Sequence, residues 1–145
     1  MEIKKEIPKE FVVKEIEIIQ ETIKRMASNS FIVKGWAITL VVATLLLRGR
    51  SYQVFIAFIP LLVFWFLDSY FLWQERMYRK LYEWVIKNRS KTDEYLFDMN
   101  AYRFKNKVQS KLKIMFSVTL GLFYGSIGIL IALYLIFLFL LQKGV

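Results

Sequence analysis

The chain has no cysteine and no histidine, and only two prolines and six glycines among 145 residues. Without cysteine there is no disulfide and no thiolate metal site. Without histidine there is no imidazole ligand and no imidazole general base. A serine or threonine nucleophile therefore has no histidine to activate it, and no phosphate loop, metal-ligand cluster or nucleophile–base pair is visible. The expectation is a non-enzyme that needs no cofactor. No Gly/Ser-rich or Pro-rich linker, low-complexity tract or internal repeat divides the chain, so residues 1–145 read as one membrane domain. The opening stretch "MEIKKEIPKEFVVKEIEIIQ" is too charged for the apolar region of a signal peptide and has no small-residue cleavage site. No lipidation motif is visible either.

What the sequence has in excess is apolar surface and positive charge. It is 57% hydrophobic and 17% aromatic, yet its net charge is +9, whereas a soluble domain is about 45–50% apolar. The apolar residues fall into three runs, 31–47, 54–73 and 114–141, separated by basic segments. About 20 apolar residues cross a hydrocarbon core of about 30 Å, so the second run suffices and the third exceeds it. The first run is short by itself and is expected to be completed by the helix before it. The predicted fold class is therefore all-α: a polytopic membrane protein with three transmembrane helices and amphipathic cytoplasmic helical extensions.

Between the first two runs lies only "RGRSYQ", a tight turn of Arg48, Gly49, Arg50 and Ser51 that makes them an antiparallel hairpin. Residues 1–30 carry six Lys and Arg and residues 74–113 carry eleven, against two in the hairpin turn and Lys143 near the end. Basic loops stay in the cytoplasm. The N-terminus and residues 74–113 are accordingly expected inside, with the turn and the C-terminus outside. Trp36 and Trp73 then fall near one interface, where amphipathic rings belong.

Two charges interrupt the spans. Asp68 lies well inside the second apolar run, where a carboxylate costs roughly 3 kcal/mol on insertion scales. Counted from the turn, Lys34 lies at a similar depth on the neighbouring helix. Two readings follow. Lys34 and Asp68 form an ion pair, within or between subunits, or Lys34 snorkels while Asp68 meets interfacial water. Under either, the carboxylate is structural rather than catalytic.

The amphipathic extensions are legible from their period. From Pro8, suited to a first helical turn, Val12, Ile16, Ile19, Ile23 and Met26 repeat at 4-3-4-3 spacing and want a partner helix. Glu10, Lys14, Glu15, Glu17, Glu21 and Lys24 are assigned to the other faces. "ASNS", residues 27–30, reads as a kink, a cap or a close packing point. After Trp73 nothing breaks the helix before "KNRSKTDE", and Met77, Leu81, Val85 and Asn88 line one stripe with Trp84 at its edge. Glu75 and Arg79 are an i,i+4 pair of favourable orientation. "YLFDMNAYRF" reads as a packed connector, and "KNKVQSKLK" leads into the third span with a basic face. The basic residues of 74–113 are suited to anionic headgroups, or alternatively to a cytoplasmic protein, RNA or nucleotide.

In the third span Ser117, Gly121 and Gly125 recur every four residues, with Gly128 and Ala132 nearby. Small residues at this spacing let helices approach closely in lipid. The row reads as an oligomer seam or as packing inside one chain.

Two stretches together, "RMASNSFIVKGWAITL" (25–40) and "WFLDSYFLWQERMYRKLYEWV" (65–85), resemble the RipA-like family of small bacterial inner-membrane proteins, which are octameric. The resemblance covers roughly residues 10–88 and marks Asn29, Ser30, Lys34, Gly35, Trp36, Trp65, Asp68, Glu75, Arg76 and Tyr82 as signature positions. It implies a ring, and more distantly a likeness to octameric pore-forming accessory proteins of RNA-targeting CRISPR effectors, which depolarise the membrane to limit phage growth. This chain has no nuclease-type R-x4-H motif and no separate sensor domain. The expected function is a homo-oligomer that forms or gates a conduit, in stress or antiphage defence; the alternative is a non-conducting scaffold for a cytoplasmic partner. Membrane lipids and further copies of itself are the expected partners.

The charge count makes a direct prediction. A topology reporter fused after Val145 should be active only on the outer side of the membrane. Activity on the cytoplasmic side would invert the assignment.

Overall fold

The described residues of the computed structural model, 7–46 and 51–143, form four α-helices, two 3-10 segments and no strand. Helix α1 runs Lys9–Leu46, α2 runs Phe58–Asn88, the short α3 runs Lys111–Met115 and α4 runs Val118–Lys143. A 3-10 segment, Ser51–Ala57, leads into α2, and a second, Ala101–Lys107, precedes α3. The tight turn expected at residues 48–50 lies outside the described residues, as do Leu47 and the chain's last two positions.

At about 1.5 Å per residue, α1 is about 57 Å long, α2 about 46 Å and α4 about 39 Å. Each of the three exceeds the bilayer core, and each is apolar enough to cross it. The protein is thus all-α, with three helices of membrane-spanning length and composition. Helix α1 is one continuous helix in which the extension and the first span merge. "ASNS" does not interrupt it. Instead Ser30 is buried as a close packing point. The stripe that α1 buries runs Glu15, Ile19, Ser30, Val33, Ala37 and Val41, spaced to face one partner throughout.

That partner is α2, and the pair forms two separate cores. In the membrane half, Ala37 and Val41 pack with Val54, Ala57 and Leu61, joined by Leu120, Tyr124 and Ile131 of α4. In the basic half, Ile19 packs with Trp73, Met77, Leu81 and Val85, closed over by Ala101, Phe104 and Ile114. Each such side chain removed from water contributes about 1.5–3 kcal/mol. Met77, Leu81 and Val85 are the stripe expected from the sequence. Trp73 is 4% exposed and packs inside the protein, edge-on to Tyr102. Trp36 is exposed.

The basic half holds a buried ion pair that corrects the reading of the N-terminal helix. Glu15, assigned to a solvated face, is 1% exposed and receives both Nε and Nη2 of Arg89 at 2.6 Å. Arg89 is itself 2% exposed. The backbone explains the burial. Helix α2 ends at Asn88, and the free carbonyls of Thr92, Glu94 and Tyr95 all accept from Arg89 at 2.9–3.2 Å. Glu15 also accepts the Phe97 N–H at 3.1 Å. Tyr95 and Phe97 both have left-handed φ, 60° and 59°, a conformation that costs roughly 1–2 kcal/mol for a residue with a side chain. These hydrogen bonds hold it. The ring of Tyr95 lies 4.4 Å from the Arg103 guanidinium, which also sits over Trp84 at 4.6 Å and Phe104 at 5.2 Å.

The third span is also not continuous. Ser110 caps α3 by accepting the Lys113 N–H, and the helix stops at Met115. A turn at Phe116 and Ser117 precedes α4. Backbone groups near a bilayer need internal partners, and here they have them. The Trp65 indole donates to the Met115 carbonyl at 2.8 Å, and the Ser117 carbonyl accepts from Gly121 at 2.7 Å.

Arg89→Ala should therefore destabilise the protein by about 3–5 kcal/mol, since it strands a buried Glu15. Arg89→Lys should recover little, because an ammonium lacks the planar fork that meets one carboxylate and three carbonyls. Thermal unfolding in detergent, followed by circular dichroism, measures both. A fully stable Lys variant would contradict the account.

Candidate functional site

Between the two cores lies a polar layer built on Asp68, whose side chain is fully buried. Helical spacing brings Ser30 and Lys34, one turn apart on α1, to the face that meets Asp68 of α2. Lys34 Nζ lies 2.6 Å from Asp68 Oδ2. Ser30 Oγ donates to Asp68 Oδ1 and accepts from Lys34 Nζ at 2.9 Å. From α4, Tyr124 donates its hydroxyl to Asp68 Oδ2 at 3.1 Å, with the Phe64 carbonyl at 3.3 Å. Three helices thus converge on one carboxylate.

The magnitudes show which partner matters. Burying the carboxylate costs roughly 3 kcal/mol. A hydroxyl hydrogen bond inside a membrane protein returns only about 0.6 kcal/mol on average. Ser30 and Tyr124 offset part of that cost, and the Lys34 ammonium supplies the opposite charge. Lys34 is 22% exposed and its Nζ stands 5.9 Å from the Phe123 ring. The pair lies within one chain.

Tyr124 had no place in the sequence reading, although a hydroxyl on an apolar helix is itself a signal that a partner is nearby. Its ring stacks on Trp65, centroids 5.8 Å apart, and Trp65 meets Phe116 edge-on at 5.4 Å. Trp65 therefore ties α2 to α3 and to α4 at the same level as the network.

The other signature positions lie away from Asp68. Gly35 and Trp36 face outward, and Asn29 is half-buried beside Ser30 on α1. Glu75 is buried and pairs with Arg79 at 2.7 Å. Arg76 donates to Gln109 at 2.9 Å, and the Tyr82 hydroxyl accepts from Gln20 at 3.2 Å. These hold the basic half together and do not join the network.

The small-residue row is altered by the break before α4. Ser117 lies outside that helix, so only Gly121 and Gly125 share its face. A methyl added at either would meet no neighbouring element within 4 Å, whereas at Gly128 it would lie 3.7 Å from Leu61. Gly128, expected to be offset, is the glycine at the contact with α2. Gly121 and Gly125 face away from the rest of the chain. Among the described residues no group of His, Cys, Asp or Glu is placed to hold a metal ion. No family model, curated protein or solved structure matches the chain.

Asp68→Ala should cost about 3–5 kcal/mol, because Lys34 loses its only carboxylate. Lys34→Met in the same chain should return part of that cost. A double-mutant cycle isolates the coupling, and strictly additive effects would favour independent snorkelling. Tyr124→Phe should cost about 0.6 and at most about 1.7 kcal/mol, which the same unfolding measurement resolves.

Proposed function

We propose that this chain is a homo-oligomeric bacterial inner-membrane protein, N-terminus inside, whose assembled helices form or gate a conduit. The observation that carries the reading is the open small-residue face of α4. Gly121 and Gly125 offer close approach, yet among the described residues nothing fills the space beside them. A second copy would fill it. The resemblance to the RipA-like family supplies the ring and the setting in stress or antiphage defence. The water-facing half, clamped by Glu15 and Arg89, would receive a signal and pass it along the continuous α1 and α2.

A non-conducting scaffold is the second reading, and one observation favours it. Asp68 has no exposed surface, and Ser30, Lys34 and Tyr124 of the same chain all contact its oxygens. It offers nothing to a passing ion. Thr119, Ser126 and Tyr134 are exposed hydroxyls on α4, and Ser126 is bonded back to the Phe123 carbonyl at 2.8 Å.

Gly121→Leu should reduce the oligomer while leaving insertion intact, because a large side chain forces backbones apart and Leu itself favours the membrane. Gly128→Leu should instead lower the thermal stability of each chain by crowding Leu61. Native mass spectrometry of both variants separates the effects, and an unchanged oligomer for Gly121→Leu would place the seam elsewhere. Ion flux through liposomes should fall with the oligomer. An intact ring without flux would support the scaffold.

A further inference from the structure

The chain carries no acidic residue after Asp98, yet residues 99–118 contain Arg103, Lys105, Lys107, Lys111 and Lys113. Arg103 is turned inward among three rings. Lys105, Lys107 and Lys113 are exposed. Lys111 is fixed by the protein, its ammonium 4.6 Å from the Trp73 ring and 5.3 Å from that of Tyr70, which holds α3 beside the middle of α2, where its apolar run ends. Interleaved with these bases are large apolar side chains with no cover. Leu112 is 66% exposed, Phe116 69% and Val118 78%.

Two largely exposed apolar side chains in water, in a segment with lysines and no acidic residue, have no reason to stand there. Next to a bilayer they have one. The segment runs directly into α4, which is long and apolar enough to cross the membrane, so Leu112 and Phe116 lie at the boundary where α4 enters. Apolar side chains at that level sink into the acyl boundary, while lysine stems reach back to the phosphates. Four or more bases immediately beside a span are suited to anionic headgroups. Lys80, which lines one groove with Lys107, is not part of the set. It is bonded to Glu83 at 2.8 Å, and that hydrogen bond holds the Glu83 carboxyl below its ordinary value.

We infer that residues 105–116 form an interfacial anchor that selects anionic phospholipid, with Leu112 and Phe116 inserted and Lys105, Lys107, Lys111 and Lys113 on the headgroups. The inference requires only that α4 crosses the bilayer, and it stands whether or not the assembly conducts.

Native mass spectrometry of the full-length chain in detergent, titrated with phosphatidylglycerol or phosphatidylcholine of matched acyl chains, tests it. Wild type should retain phosphatidylglycerol preferentially. Lys105→Gln, Lys107→Gln and Lys113→Gln combined should reduce that preference on the order of a hundredfold, at about fivefold per lysine. Lys111 is left in place because it packs on Trp73, and circular dichroism should show unchanged helix. Equal retention of the two lipids by wild type would overturn the inference without any variant having to fold. So would a triple variant that keeps the preference. Displacement of phosphatidylglycerol from wild type by a single-stranded RNA would assign these lysines to nucleic acid instead.

Discussion

A carboxylate set in the apolar stretch of α2 is the constraint from which the architecture follows. Asp68 can be buried there in its ionised form only beside a cation, and the cation must come from a helix at the same depth. Lys34 meets that demand, so α1 and α2 are fixed in antiparallel register. Ser30, one turn earlier, and Tyr124, from α4, then complete the hydrogen bonding. A slip of either helix by one turn, about 5.4 Å, would strand a charge. The apolar cores on either side of this layer supply most of the burial but tolerate many registers. The polar layer accepts one.

The second buried pair, Glu15 with Arg89, acts at the far end of the same two helices. Between it and Asp68, α1 runs unbroken past Ile19 and Ser30. Two ion pairs at separated levels leave the helices little freedom to twist against each other. Such pairs contribute more to specificity than to net stability, since desolvation consumes much of the attraction. A long two-helix unit of this kind carries displacement as a rigid body, which suits a protein that links its water-facing half to its membrane half.

The sequence displayed the spans, their antiparallel pairing and the match in depth of Lys34 and Asp68, because membrane thickness and apolar run length share one ruler. The stripe of Met77, Leu81 and Val85 was legible from its helical spacing. Glu15 was not. It stands among eight other charged residues on α1, and period alone cannot tell a buried glutamate from its solvated neighbours. Its partner Arg89 lies 74 positions away, just past a helix end where a basic residue looks like a terminator. The break at Phe116 and Ser117 was hidden for a related reason. Apolar composition continues through it, and only the Trp65 indole, arriving from another helix, makes the stop at Met115 tolerable. Tyr124 carried a readable sign in its hydroxyl, but its partner depended on how α4 crosses α2.

Infrared difference spectroscopy of wild type against Asp68→Asn at neutral pH tests the central claim most directly. If Lys34 holds Asp68 as an ion pair, the substitution should remove an ionised carboxylate stretch and no protonated carboxyl band. Removal of a protonated carboxyl carbonyl band would contradict it, and would mean that the membrane layer is held by neutral hydrogen bonds.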